Sequence, residues 1–141
     1  MRKRIPVTLV LTVALLLLTA AHAGNPILIV NKENAAESLS STDIKRIYTG
    51  RMSKIGDLKA VPINRPLDSD IARAFLEEYV GMTPQEFKEF WVMKQIKGEG
   101  TPPMIQKTAE NAKSIVSQVP GAIAYIDEDD LDDTVKKMPV K

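Results

Sequence analysis

The amino-acid sequence predicts an α/β fold: a single domain with a small mixed β-sheet flanked by about four helices. Two continuous apolar runs, Pro26-Ile-Leu-Ile-Val and Ala122-Ile-Ala-Tyr-Ile, read as buried strands near either end of the chain. Between them lie several amphipathic segments, each with a capping residue before it and a glycine or proline after it. Alternating strands and helices without repeats or linkers argue for one domain rather than two.

In chain order, Pro26–Asn31 is an apolar strand that ends in a polar turn. Ser40-Ser41-Thr42-Asp43 offers caps for a short helix carrying Ile44, Ile47 and Tyr48, and Gly50 suits a left-handed C-terminus. Arg51 to Lys59 reads as a polar loop, and Ala60 to Ile63 as a further strand. Asp68 or Ser69 caps the next helix, whose apolar residues are Ile71, Ala72, Phe75, Leu76 and Tyr79, and Gly81 stops it. Thr83-Pro84-Gln85-Glu86 reads as a capping box with proline at the first helical position.

Phe87, Phe90 and Trp91 follow at i, i+3, i+4, a stripe better suited to a core than to a binding platform. Gly98 to Pro103 is a loop, and Ala109, Ala112, Ile115, Val116 and Val119 mark a helix ended by Pro120-Gly121. Asp127 to Asp133 holds six acidic residues in seven. It lacks the alternating ligands and glycine of a calcium loop, so a solvated turn is expected. Thr134 to Val140 adds an edge strand.

The first 23 residues carry an address. Arg2-Lys3-Arg4, an apolar run from Val7 to Ala20 and then Ala21-His22-Ala23 form the three regions of a secretory signal peptide, with cleavage expected after Ala23. The apolar run is shorter than the roughly 20 residues of a membrane span, and no cysteine is present to carry a lipid anchor. The remaining residues, 24–141, form the expected domain and a periplasmic location follows. They hold 16 basic and 18 acidic residues, a net charge of −2 with no basic stripe, so nucleic acid is not an expected partner.

His22 is the only histidine, so the secreted part has neither histidine nor cysteine. That removes histidine-based triads, thiol nucleophiles and the usual ligand sets for zinc, haem or copper. No cofactor or metal is expected. A Ser69 pair with Lys54 or Lys59 lacks any spacing signature, and a non-enzyme is expected.

Val61 to Phe75 reads as strand, polar turn, helix start. Free backbone amides at such a start, with Arg65 before it and Ser69 at the cap, suit an anion. The plainer reading is a capped helix with Arg65 at the surface and Arg73 paired to Glu77 one turn later.

Four pieces in this order and spacing resemble the substrate-binding proteins of phosphate ABC transporters, within the type 2 periplasmic-binding-protein fold. They are Ile44-Lys-Arg-Ile-Tyr-Thr-Gly50; Pro62-Ile-Asn-Arg65 with Ser69 and Phe75; Phe90-Trp91; and Val116 to Val119 with Pro120-Gly-Ala-Ile-Ala-Tyr125. The resemblance implies one periplasmic-binding-protein-like lobe, a phosphate-like ligand and a membrane transporter or sensor as partner. By position it implies Arg65 and Ser69 as anion contacts.

This chain departs from the family pattern around them. Leu67 stands where the family has an aspartate, Asp68 and Asp70 replace two glycines, and Ile71 replaces a threonine. Two carboxylates repel a dianion by about 1 kcal/mol per charge pair at 4 Å in water. A carboxylate can also accept a proton from hydrogen phosphate, with Arg65 and Arg73 balancing the charge. The expected ligand-binding set is therefore Arg65, Asp68, Ser69, Asp70 and Arg73.

The family is about two domains long, closing two lobes around its ligand, so a lone lobe buries less of a ligand and pairing with a second copy, a homodimer, or with another protein is a further expectation. Two functions follow: a periplasmic solute-binding module for phosphate or a similar oxyanion, associated with transport or sensing, or a ligand-free interaction module docking on a membrane protein.

Overall fold

The computed structural model describes residues 24–141. The expected signal peptide, residues 1–23, lies outside the described residues. The strands are β1 (Pro26–Val30), β2 (Lys54–Ile55), β3 (Leu58–Lys59), β4 (Val61–Asn64), β5 (Met104–Ile105), β6 (Ala122–Asp127) and β7 (Lys136–Met138). The helices are α1 (Ser41–Tyr48), α2 (Asp70–Phe75), α3 (Pro84–Ile96) and α4 (Ala109–Gln118). A π-helical turn, Leu76–Val80, continues α2, and a 3₁₀ turn, Glu128–Asp130, follows β6.

Five strands form one mixed sheet in the order β5-β4-β6-β1-β7. β4 runs parallel to β5 and β6, while β1 runs antiparallel to β6 and β7. The strand period of two divides the sheet's side chains between two cores. Leu28, Val30, Ile123 and Tyr125 face α1, α2 and α3, packing with Ile44, Phe75 and Trp91. Ile27, Ile29, Ala122, Ala124 and Ile126 face α4, packing with Ala112 and Val116. Burial on both faces is why β1 and β6 read as unbroken apolar runs.

The caps act largely as the sequence implies. Ser40 accepts from the Asp43 amide while Asp43 returns a bond to the Ser40 amide, a reciprocal capping box. Ser69, not Asp68, caps α2 by accepting from Ala72 N at 3.3 Å. Only half of the capping box expected at Thr83 forms: Thr83 accepts from Glu86 N at 3.1 Å with Pro84 in the first turn, but Glu86 returns no bond to the Thr83 amide. Gly50 and Gly81 both adopt a φ of 73° where α1 and the π turn end.

Two expectations change and one short strand is added. The stretch from Arg51 to Lys59 is not a plain loop: β2 and β3 pair through a turn at Gly56-Asp57, where Gly56 has a φ of 59°, and Ile55 is buried. The short strand β5 follows the 98–103 loop and pairs with β4. Phe90 is only partly buried, unlike Phe87 and Trp91, because it lies at the edge of the aromatic stripe.

Candidate functional site

The parallel strands β4, β5 and β6 end together, and α2 and α4 begin just beyond β4 and β5. In open α/β sheets the crevice outside the carboxyl ends of the strands is the usual ligand position. Here two connections meet, Arg65–Ser69 before α2 and Gln106–Thr108 before α4, joined by the Arg65 side chain.

Arg65 follows directly on β4. Its backbone amide donates to Asn64 Oδ1 at 2.9 Å and to the Tyr125 hydroxyl at 3.1 Å, and the Tyr125 hydroxyl donates in turn to Asn64 Oδ1. Asn64 and Tyr125 are buried, and burial pushes the Tyr125 phenol well above its ordinary pKa of 10.0, against the lowering effect of Arg65. The hydroxyl therefore keeps its proton and its place in the network. Tyr48, also raised by burial and by Tyr125, donates to Ile63 O at 2.9 Å. Two phenols thus fix the end of β4 from beneath, which fixes the start of the Arg65 side chain.

The Arg65 guanidinium is engaged already: Nε donates to Gln106 O at 3.1 Å and Nη2 to Lys107 O at 3.3 Å. It ties the β4 end to the start of the α4 connection. Ser69 accepts from the Ala72 amide and donates to Pro66 O at 2.5 Å. Arg73 pairs with Asp70 at 3.3 Å rather than with Glu77, both side chains being more than half exposed, so the pair contributes little. Residues three apart meet here because Asp70 sits in the first turn with its side chain free of the cap.

The five expected residues therefore divide. Arg65, Asp68 and Ser69 lie on the connection between β4 and α2 and Asp70 and Arg73 on α2 itself; of the five, Asp68 and Arg73 also line an open groove of about 470 Å³ with Lys88 of α3. The sequence reading did not select Lys88, whose place in this groove depends on α3 packing beside α2. Lys107 was also missed; it approaches Arg65 through β5, a two-residue strand without a clear periodic signal. Asp127 is a further acidic neighbour: a Cβ at Gly24 would stand 2.6 Å from its Oδ2 and 3.0 Å from Ile71 Cδ1.

Among the described residues no cluster of three or more His, Cys, Asp or Glu is arranged to hold a metal ion. Among the same residues no helix is long and apolar enough to cross a membrane.

No protein-family model matches the chain, and no curated protein matches it in sequence. Solved structures do match it. An ABC-type phosphate transport receptor from Vibrio cholerae aligns over 83% of this chain and 46% of its own, with a TM-score of 0.65 and 17% identity. A protein described as a phosphate ABC transporter substrate-binding protein from Clostridium perfringens, solved with bound phosphate, aligns over 83% and 45%, with a TM-score of 0.65 and 27% identity. PstS from Borrelia burgdorferi aligns over 84% and 47%, with a TM-score of 0.61 and 16% identity. The chain spans less than half the length of each of these structures, and its fold is periplasmic-binding-protein-like.

Proposed function

We propose that this chain, which resembles in structure about half of a phosphate ABC transporter substrate-binding protein, is a non-enzymatic binding module for phosphate or a similar small oxyanion. On this reading it acts in the periplasm, delivered there by the segment before Gly24, and serves transport or its sensing. The observation that carries the reading is the structural match over 83% of the chain to a protein solved with bound phosphate. Arg65 and Ser69 stand at the strand-to-helix turn where backbone amides of α2 have no acceptor within the helix. Arg65 supplies the planar cationic fork, and Ser69 a hydroxyl able to donate.

Titration calorimetry of the purified protein, freed of phosphate, against phosphate, sulfate and a monovalent anion tests this. Saturable, phosphate-selective heat that disappears in Arg65→Ala is expected, with circular dichroism showing the variant folded and the melting temperature lowered only by the loss of its bonds to Gln106 O and Lys107 O. Equal binding by wild type and variant would overturn the assignment of Arg65.

A second reading has its own support. Arg65, Ser69 and Arg73 each already hydrogen-bond within the chain, and Asp70 offers the helix dipole a negative charge of its own. This favours an interaction module that docks on a membrane transporter or sensor without a ligand. Flat titrations from folded protein, with a membrane partner recovered equally by wild type and Arg65→Ala, would select it.

A further inference from the structure

The cleft between the last turn of α1 and α3 gathers three cations and has no acid in its own lining. It encloses about 580 Å³ and is lined by Lys45, Arg46 and Arg51, with Thr42 at its rim and Met82 and Phe90 as an apolar floor. Among the described residues none of its three cations enters an ion pair.

The backbone enforces this crowding. The carbonyl of Arg46 accepts from both Arg51 N at 2.7 Å and Met52 N at 3.0 Å, which folds the chain back so that Arg51 returns beside Arg46. The reversal runs through Gly50, whose φ is 73°; a Cβ there would come within 2.9 Å of Trp91 Cη2. A side chain at this position is excluded by both conformation and packing. Arg51 is thus held where it is by glycine and by the Trp91 ring, not by an attraction of its own.

The helix dipole explains only part of the charge. A helix C-terminus carries about half a negative charge, and its end is already served by Lys94, whose Nζ donates to Thr49 O at 3.0 Å and lies 5.3 Å from the Trp91 ring centroid. Thr49 Oγ1 donates to Lys45 O at 2.6 Å, so that carbonyl is satisfied too. Lys45, Arg46 and Arg51 remain in excess. Arg51 also lines the adjoining groove, where Glu86, Glu89 and Glu99 stand with Lys94 and Lys97; across the two, five cations face three carboxylates, so net positive charge remains and Lys45 and Arg46 lie apart from the acids.

We propose that this cleft is a second anion site, for a group with several linked or adjacent phosphoryl charges. Two guanidinium forks suit bidentate phosphate contacts, Lys45 adds a point charge, and the cleft exceeds what one small oxyanion fills. It shares no residue with the Arg65–Arg73 turn and does not depend on that turn binding anything. Such charges come either from a free polyphosphate or from the headgroups of an anionic lipid surface.

Inorganic tripolyphosphate is the probe for the first source. Saturable calorimetric binding to the purified protein is expected. It should weaken at least tenfold in the Arg46→Glu/Arg51→Glu double variant, weaken with added salt, and persist in Arg65→Ala. Both substituted side chains are exposed and make no side-chain hydrogen bonds that hold the fold, and circular dichroism checks that the variant folds.

Co-sedimentation with phosphatidylglycerol vesicles, against phosphatidylcholine vesicles, is the arm for the second source. Vesicle binding that tripolyphosphate competes away and the double variant loses assigns the site to lipid headgroups; tripolyphosphate binding alone assigns it to a free polyphosphate. Binding of either probe that is equal in wild type and double variant overturns the proposal, as does the absence of binding to both.

Discussion

Phe75 lies flat against Tyr125, with ring centroids 3.8 Å apart and planes inclined by 7°. This stack joins α2 to β6 inside the core, and Tyr48 meets Phe75 edge-on at 4.9 Å. The same Tyr125 whose ring holds α2 has a hydroxyl that holds Asn64 and the Arg65 amide. One side chain therefore sets the spacing between the Arg65 turn and the helix that begins one residue after Ser69.

Tyr125→Phe separates the two roles. The stack survives, but the Asn64 Oδ1 and the Arg65 amide each lose a partner in a buried setting. A loss of about 1–2 kcal/mol in urea unfolding is expected. Phe75→Ala, which empties a stacked core position, should cost about 3–5 kcal/mol. If Tyr125→Phe costs as much as Phe75→Ala, the hydroxyl network carries more than the stack.

Asp70→Asn should tighten anion binding, on the proposed reading of the α2 turn. The change removes one negative charge near the site and releases Arg73 from its pair. The gain expected is about fivefold, from roughly 1 kcal/mol of repulsion removed in a water-exposed setting. Calorimetric titration with phosphate measures it; unchanged or weaker affinity would place the bound charge away from Asp70.

Gly121→Ala should be among the most disruptive single-methyl changes in the chain. A Cβ there would fall 1.8 Å from Lys59 O, and Val61 N is bonded to Gly121 O at 2.9 Å, so the two backbones have little room to part. A loss of about 3 kcal/mol is expected. Gly56→Ala is the comparison: nothing lies within 4 Å, yet φ is +59°, so only the conformational cost of about 1 kcal/mol applies. Thermal unfolding of both variants gives the ranking.

Lys113 makes acid stability dependent on Asp132. Its side chain is only 6% exposed, and its Nζ lies 2.7 Å from Asp132 Oδ2 and 2.9 Å from Glu110 Oε1 while donating to Asp130 O. The Lys113 hydrogen bond, followed by those from Thr134, holds the Asp132 carboxyl down to about 2. An unfolded aspartate titrates at about 4. Because the folded value is the lower one, the contribution is complete above about pH 4 and disappears as pH falls through about 2.

Lys113 itself is raised, chiefly by the Asp132 bond and then by Glu110, so its contribution is complete below 10.5 and declines as pH rises through the higher folded value. Asp132→Asn should flatten the acid side of the stability profile between about pH 4 and pH 2, measured by denaturant unfolding at stepped pH. A difference from wild type that stays constant over that interval would show that the pair is not the source.

Much of this protein is legible residue by residue. The apolar runs of β1 and β6, the caps at Ser40, Ser69 and Thr83, and the glycine stops at Gly50 and Gly81 are local signals whose physical causes act within one turn or one strand. The hairpin β2–β3 also left a trace, Gly56-Asp57 between two short runs. Strongly polar flanks concealed it until the fold supplied a place for Ile55 to bury.

The α/β class, the order of the main elements and the turn at Arg65–Ser69 can therefore be read along the chain, because they rest on periodicity, caps and covalent neighbours. Packing in three dimensions is what commits the Arg65 guanidinium to Gln106 and Lys107, turns Arg73 back to Asp70 and returns Arg51 to Arg46. Side-chain partners are chosen by distance in space, and parallel strand pairing and packed helices bring together residues whose separation along the chain carries no signal of the meeting.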